Sequence, residues 1–329
     1  MARLVTALLG VAAAVVAAWV PFWWWAPTGS AAAFALLALT PIVAALAVVV
    51  AVLAGVLRRW VPAVVALVAA VVLAVVVVPR ALGDDDPAVP PGRPGSATVT
   101  VASVNLQFGR ADPASVVALV REHRVDVLGL TELTPASERA LAAAGLTAEL
   151  PFVSSRARRG AGGTALLARQ PLAPSGIVLR EGVFAQVEGR LLAPGGPVDV
   201  VVAHPAAPVF RDDPEGWARE IAELPAPASS GEPPRLIVGD LNATLDHRPL
   251  RTLLAGPWED AADAVGAGLR GTWPTDRAVP PFAAIDHVLV SGPASPVDVL
   301  TREPPGTDHA GLVVTLAVDG GRTGVTPAP

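Results

Sequence analysis

Residues 235–244 read RLIVGDLNAT. An apolar run rich in β-branched residues stops at Gly239 and gives way at once to Asp240-Leu241-Asn242. A short apolar run bounded by a turn residue reads as a strand buried on both faces, placed here at 235–239 with an acid and an amide at its end. Alone the pair is ordinary, because Asp240 could cap the following helix and Asn242 could hold a turn. The arrangement recurs along the chain, however. A strand at 98–104 ends in Ser103-Val104-Asn105-Leu106-Gln107, one at 125–131 ends in Gly129-Leu130-Thr131-Glu132, and one at 198–203 runs into His204-Pro205. Ile285-Asp286-His287 opens a strand at 285–290, and Thr307-Asp308-His309 stands just ahead of one at 312–318. Further strands fit 163–168 and 183–188, and helical patterns fit 113–123, 135–144, 214–224 and 249–254. Strands outnumber helices and several neighbours lack an intervening helix. The class is therefore α/β with mixed sheets layered by helices, not a purely parallel doubly wound fold.

Strand ends that share one edge collect amides, carboxylates and imidazoles in one place. Oxygen-rich ligation of that kind suits Mg2+ or Mn2+. With a histidine beside it, the natural chemistry is metal-assisted attack of water on phosphorus. The chain has no cysteine, which excludes zinc–thiolate sites, disulfide scaffolds and thiol nucleophiles.

In chain order, VNLQ, LTEL, HPAAP, GDLNAT, IDHVLVS and TDHAGLVV each stand at a strand end. Together they resemble the endonuclease/exonuclease/phosphatase (DNase I-like) superfamily, which includes DNase I, apurinic-site endonucleases, neutral sphingomyelinases and inositol-phosphate 5-phosphatases. The resemblance covers about 98–318 and implies a four-layer α/β/β/α sandwich. It implies a metal at Glu132 and Asn105, with Asp308 as a second metal contact, and an Asp240–Asn242 pair that positions water and the scissile phosphate. It also implies a terminal His309 hydrogen-bonded to Asp286, and a His204 that donates to phosphate oxygens as charge grows. Gln107 stands where nuclease-like members carry a polar side chain. Trp273, in Gly271-Thr272-Trp273-Pro274, either touches substrate or packs its loop. By strand alternation His287 faces away from the edge and reads as structural. His123 and His247 read as surface residues, and Arg156, Arg158 and Arg159, just before 160–164, as a solvated loop in preference to a phosphate contact.

The composition divides the chain in two. Of its 329 residues 52% are hydrophobic and only 16% charged, against about a quarter charged in an ordinary soluble domain. The only charges in the first 80 residues are Arg3, Arg58, Arg59 and Arg80. The remaining 20 of the 24 basic residues face all 29 acids beyond residue 80, so that part carries −9 and contains no Lys. Three apolar runs, at about 4–25, 31–57 and 60–78, each meet the roughly 18–25 residues that a membrane-crossing helix needs. A simple soluble enzyme is excluded. We expect a three-helix anchor over 1–79, a Pro/Gly/Asp-rich linker over 80–97, a catalytic domain over 98–319 and a flexible tail over 320–329. Arg3 and the Arg58–Arg59 turn place the N-terminus in the cytoplasm and the catalytic domain outside it, with Arg80 opposing and Asp84, Asp85 and Asp86 offsetting it.

These features point to a membrane-anchored Mg2+- or Mn2+-dependent phosphohydrolase. The bilayer is its partner and a lipid-linked or cell-envelope phosphoester its substrate. The chain also resembles a bacterial membrane-bound branch of the superfamily linked to glycopeptide resistance. Duplex DNA is disfavoured, since duplex affinity rests on Lys and Arg neutralising phosphates. The chain has no Tyr, so the active-site tyrosine of apurinic-site endonucleases is missing. An anchored extracytoplasmic nuclease is the alternative, and a catalytically dead binding module a third.

Overall fold

The protein is described by a computed structural model that covers residues 2–319 apart from 85–86, 91, 93–95, 181 and 209–214. The expected tail at 320–329 lies outside the described residues. Four N-terminal helices come first: α1 (Ala2–Trp25), α2 (Ala31–Leu37), α3 (Thr40–Val56) and α4 (Trp60–Val77). By length and composition α1 and α4 can each cross a membrane, and α2 with α3 makes a third span if the pair is counted as one. The single helix expected over 31–57 is thus broken, with a 61° bend between its halves. Pro41 explains the break. It has no N–H to give Leu37 O, and the Thr40 hydroxyl takes that carbonyl instead at 2.7 Å. Inside the bundle lie small residues, Ala13, Ala44, Ala47, Ala66 and Ala70, whereas Leu8, Val11, Val52, Leu67 and Val71 face outward. Small residues within and large apolar ones without is the inverse of a water-soluble bundle and suits lipid. Trp24 and Trp25 at one end and Trp60 at the other are exposed, as interfacial anchors are.

The rest of the chain forms two six-stranded mixed sheets. The first holds β1 (Ser96–Asn105), β2 (Val127–Thr131), β3 (Phe152–Arg156), β4 (Thr164–Ala168), β11 (Ala294–Arg302) and β12 (Gly311–Asp319), in the order β11-β12-β1-β2-β4-β3. The second holds β5 (Leu172–Ala173), β6 (Val187–Ala193), β7 (Gly196–Val202), β8 (Arg235–Asp240), β9 (Glu259–Asp260) and β10 (Asp286–Ser291), in the order β5-β6-β7-β8-β10-β9. Among the described residues only β1–β2 and β7–β8 pair in parallel. Val101, Val127 and Leu166 of the first sheet meet Val200, Leu236, Val238 and Val288 of the second in one core. The outer face of the first sheet packs on helices α5 (Pro113–Glu122), α6 (Pro135–Ala143) and α7 (Leu146–Glu149), that of the second on α8 (Gly216–Ala222) and α9 (Arg248–Leu254). The result is the four-layer α/β/β/α sandwich, and strands covered on both faces explain why they read as continuous apolar runs. Gly129 in β2 lets the sheets approach, since a Cβ there would lie 2.8 Å from Val238 Cγ1.

Two sequence expectations need correction here. The strand expected at 183–188 starts later, at Val187, because Gly189 and Arg190 interrupt an otherwise apolar strand; Arg190 pairs with Asp199 across the ladder at 2.6 Å. The nine-residue β11 went unread because Pro296 and Asp298 are poor strand formers, tolerated at the sheet edge where the ladder slips between them.

The helices do not hang free of the sandwich. The Asp246 carboxylate accepts from Trp23 Nε1 at 2.8 Å and from both Arg80 terminal nitrogens at 2.8 and 2.9 Å. Arg251 stacks its guanidinium 3.6 Å over the Trp23 ring and donates to Trp23 O. Phe34 of α2 packs edge-on against Trp217, and His247 Nε2 bonds Phe34 O at 2.9 Å. His247 is buried, which corrects its reading as a surface residue; the helices that cover it could not be foreseen locally. The stretch taken as a linker is also partly fastened, by Asp84 N–H to Ala264 O of α10 (Ala261–Ala264) and by Val89 N–H to Ser295 Oγ.

Candidate active site

Strand ends from both sheets converge at one edge. β1 ends at Asn105, β2 runs through Thr131 into Glu132, and β8 ends at Asp240. β10 runs antiparallel to β8 and pairs its first residue, Asp286, with Asp240. A strand start and a strand end therefore serve the same edge. Gly239 makes this turn possible: its φ is +143°, and a Cβ there would meet Ala203 O at 2.1 Å.

Asn105 joins the sheets. Its Nδ2 donates to Asp240 Oδ2 at 2.9 Å and to Glu132 Oε1 at 3.3 Å, and its Oδ1 accepts the Gln107 N–H at 2.9 Å. The second Glu132 oxygen accepts the Phe108 N–H at 2.7 Å. Asp240 Oδ1 accepts the Asn242 N–H at 2.8 Å, and Asn242 Nδ2 donates to Pro205 O at 3.0 Å. Across the edge, His309 Nδ1 meets Asp286 Oδ2 at 2.8 Å, and His309 Nε2 lies 3.8 Å from Asp240 Oδ2 and 3.9 Å from Asp308 Oδ1. His204 Nε2 stands 3.6 Å from Asp240 Oδ2, with its ring against Phe184 at 4.7 Å between centroids. Trp273 Nε1 donates to Asp308 Oδ2 at 3.0 Å, so this ring holds a carboxylate as well as its loop. Among the described residues Gln107, Phe108, Glu132 and Asn242 adopt positive φ, a conformation disfavoured for side-chain-bearing residues and concentrated where sites are built.

The structure thus brings together Asn105, Glu132, His204, Asp240, Asn242, Asp286, Asp308, His309 and Trp273. Gln107 joins through its backbone N–H. His287 faces the other way, between Asp260 at 2.6 Å and Ala243 O at 2.7 Å, as alternation requires. Arg156, the last residue of β3, and Arg158 and Arg159, in the turn that follows, are exposed. Sequence reasoning missed two hydroxyls. Thr272 Oγ1 accepts the Asp286 N–H, and Thr307 Oγ1 donates to Asn105 O at 2.8 Å while accepting the His309 N–H. Both lie within motifs already singled out, where a threonine beside a polar turn residue is the available signal. Phe184 falls in the stretch read as a strand at 183–188, which is irregular before Val187, so its place against His204 could not be foreseen.

Burial sets the protonation states. It disfavours charge on His309, but Asp286, Asp240 and Asp308 outweigh it and raise the pKa to about 10. Burial would raise Asp286, yet the charge and hydrogen bond of His309 bring it below the usual range. Asp240 is pushed up to about 7 by burial, with His309 opposing. Burial, helped by the His309 charge, pushes His204 down to about 3, so it stands neutral beside Asp240 and forms no ion pair near neutral pH. At pH 7 the edge therefore holds an imidazolium, a neutral imidazole and a carboxyl near its midpoint.

The donor set fits a hard divalent cation. Burial raises the Glu132 pKa, and the Asp308 charge adds to it against the hydrogen bonds from Phe108 and Asn105. Two carboxylates that repel in a partly buried edge beside an amide are what such a cation offsets. Glu132 and Asp308 could hold it, with Asn105 alongside. One ligand-capable atom each from Asp240, Asp286 and His309 also lie within 4.8 Å of one another. That trio is closed by its own Asp286–His309 bond and by a cationic ring, which cannot ligate.

The family model described as Endonuclease/Exonuclease/phosphatase family matches residues 102–309, more than half of the chain. The chain belongs to this family. Among similar solved structures, D. rerio TDP2 complexed with single-strand DNA product aligns at TM-score 0.54 and 14% identity, covering 67% of this chain and 99% of that one. Truncated Caenorhabditis elegans TDP2 aligns at 0.50 and 17%, covering 67% and 97%, and an AP endonuclease from Archaeoglobus fulgidus at 0.50 and 16%, covering 66% and 98%. At such identities the likeness is one of fold, two mixed sheets with flanking helices of the DNase I type. A search of curated proteins returned no match. The family comprises divalent-metal-dependent phosphoester hydrolases, and a cluster of acids suited to that chemistry is present.

Proposed function

We propose that the chain is a membrane-anchored phosphohydrolase, dependent on Mg2+ or Mn2+, whose substrate is a lipid-linked or cell-envelope phosphoester. One observation carries the reading: the loop leaving Asn242 is the loop gripped by Trp23, Phe34 and Arg80, so a few residues of chain tie the sandwich edge that holds the site to the helices. A substrate held in the bilayer would meet that edge first. Topology follows the same line. Arg3, Arg58 and Arg59 belong to the bundle end away from the domain, and Arg80, the one charge against an outer domain, is buried on Asp246.

A cation held by Glu132 and Asp308 would supply electrostatic stabilisation of charge growing on the phosphoryl oxygens. The protein's own groups do the rest. Asp240, near its midpoint at neutral pH, is placed to take a proton from the attacking water, and Asn242 orients that water against the phosphate. The His309 imidazolium, aligned by Asp286, and the neutral His204 donate to phosphate oxygens as negative charge builds.

A second reading, an anchored nuclease, is favoured by the exposed Arg110, Arg156, Arg158 and Arg159 around the site and by the single-strand DNA product bound by D. rerio TDP2. The −9 balance and the lack of Lys weigh against a duplex substrate. The deciding experiment offers full-length protein in detergent, with Mn2+, plasmid DNA, phospholipid vesicles and polyprenyl pyrophosphates. Cleavage of the lipid substrates is expected; cleavage of DNA alone would overturn the first reading. A phosphatase or β-lactamase fused after residue 80 is expected to be active only outside the cytoplasm.

A further inference from the structure

The segment after Asn242 links chemistry and anchor within a few residues. Ala243 O accepts from His287 Nε2 at 2.7 Å. The Thr244 N–H bonds His247 Nδ1 at 2.8 Å, and the Thr244 hydroxyl accepts the Asp246 N–H. This tight turn ends in a carboxylate whose side-chain donors among the described residues come from outside the sandwich proper, Trp23 at the end of α1 and Arg80 just beyond α4. Asp246 is 1% exposed, Arg80 6% and Trp23 9%, so water does not replace these bonds. His247, next in sequence, spends its remaining nitrogen on Phe34 O of α2. Three separate pieces of the helical region thus hold one turn, and that turn begins at the residue after Asn242.

We infer that Asp246 is a positioning residue and that the helical anchor is a working part of the catalytic unit. By gripping Asp246, Trp23 and Arg80 fix the 243–247 turn and with it the placement of Asp240 and Asn242. The inference rests on the hydrolase reading above for its consequence in rate, but its structural half is independent of any substrate. Loosening the grip lets the turn open, and Asn242, already at positive φ, relaxes out of register with Asp240. The loss falls on the transition state, in which Asp240 and Asn242 act on the attacking water.

The test uses the full chain in detergent micelles. Trp23→Phe removes one bond to Asp246 and keeps the aromatic face under Arg251; Trp24→Phe, on the neighbouring outward-facing ring, is the control. Hydrogen exchange of the 241–247 backbone is expected to quicken about ten-fold in Trp23→Phe, the scale of one hydrogen bond to a charged group, and to stay unchanged in Trp24→Phe. With bis-p-nitrophenyl phosphate, a soluble substrate, kcat is expected to fall about ten-fold at constant KM, the signature of an interaction needed in the transition state. Asp246→Asn, which leaves Arg80 buried without its counter-charge, is expected to do the same more severely; Trp23→Phe keeps the test open if that variant fails to fold. Unchanged exchange overturns the grip, and faster exchange with unchanged kcat overturns the positioning role. A wild-type protein that hydrolyses no phosphoester instead overturns the hydrolase reading, while the exchange result still decides the grip.

Discussion

His309 Nδ1 lies 2.8 Å from Asp286 Oδ2, with the carboxylate on the first residue of β10 in one sheet and the ring on the loop that leads into β12 of the other. The pair ties the sheets at the edge that holds the candidate site, and it raises the His309 pKa to about 10. Asp286→Asn removes the leading support for that charge. We expect the His309 pKa to fall by units from about 10, and kcat at pH 7 to fall roughly 100-fold, the lower range for a positioned proton-transfer group. Histidine NMR titration and steady-state kinetics check this; an unchanged kcat would remove His309 from the mechanism.

The mechanism proposed above predicts two limbs in the pH profile of the rate. Asp240 works as a base when deprotonated, so the rate rises with pH through about 7. His309 works as a cation, so the rate falls as pH passes about 10. A profile flat between pH 6 and 8, or rising through 10, contradicts the assignment.

Trp273→Phe keeps the ring against Phe282 but removes the 3.0 Å bond to Asp308. Groups that orient a metal-holding side chain are worth about 10–100-fold in affinity. Electron paramagnetic resonance titration with Mn2+ should show a loss on that scale; equal affinity in variant and wild type means Asp308 holds no cation.

Asn105→Ala leaves Asp240 and Glu132 without their shared donor and the Gln107 N–H without its acceptor. The loss should cost roughly 1–3 kcal/mol of stability, the penalty for leaving buried polar groups unpaired. Thermal unfolding of the full chain measures it. A midpoint equal to wild type would show that the bridge contributes nothing to holding the sheets together.

Acid should open the junction before it unfolds the sheets. Burial lowers His247 to about 4 and His204 to about 3 from an ordinary value of 6.5. Between those values the unfolded chain binds more protons than the native one, so stability is full above about pH 6.5 and drains away as pH falls toward 4. Limited proteolysis across pH 7 to 4 is the check, with cleavage near 243–251 expected first. Resistance that stays level down to pH 4 contradicts a neutral, buried His247.

The edge was legible because each site residue is a polar interruption of an apolar strand. Asn105, Glu132, His204, Asp240, Asp286 and His309 could all be picked by that rule; the strand pattern gave mixed sheets layered by helices, and the four-layer sandwich came from the family resemblance that the motifs carry. What escaped has a common cause. β11 is an edge strand, whose Pro296 and Asp298 carry no strand signal because one side needs no ladder. His247 and Arg80 look like surface residues in any local window, since what buries each comes from a segment more than 150 residues away, α2 for His247 and the 245–246 turn for Arg80. The break between α2 and α3 was within reach, because Pro41 removes one helical bond, but in an all-apolar run the sequence pattern favours continuity. Thr272 and Thr307 act through single hydroxyls whose partners are set only by the final packing.

Gly129 bears on all of this without owning a polar side chain. The two sheets can draw together at Val238 because this position in β2 has no methyl group, and Glu132 and Asp240 follow three and two residues later on the facing strands. The distance between the two carboxylates is thereby governed by interior volume. Any side chain at 129 would act as a wedge, levering the two halves of the edge apart from beneath without changing one of its polar side chains.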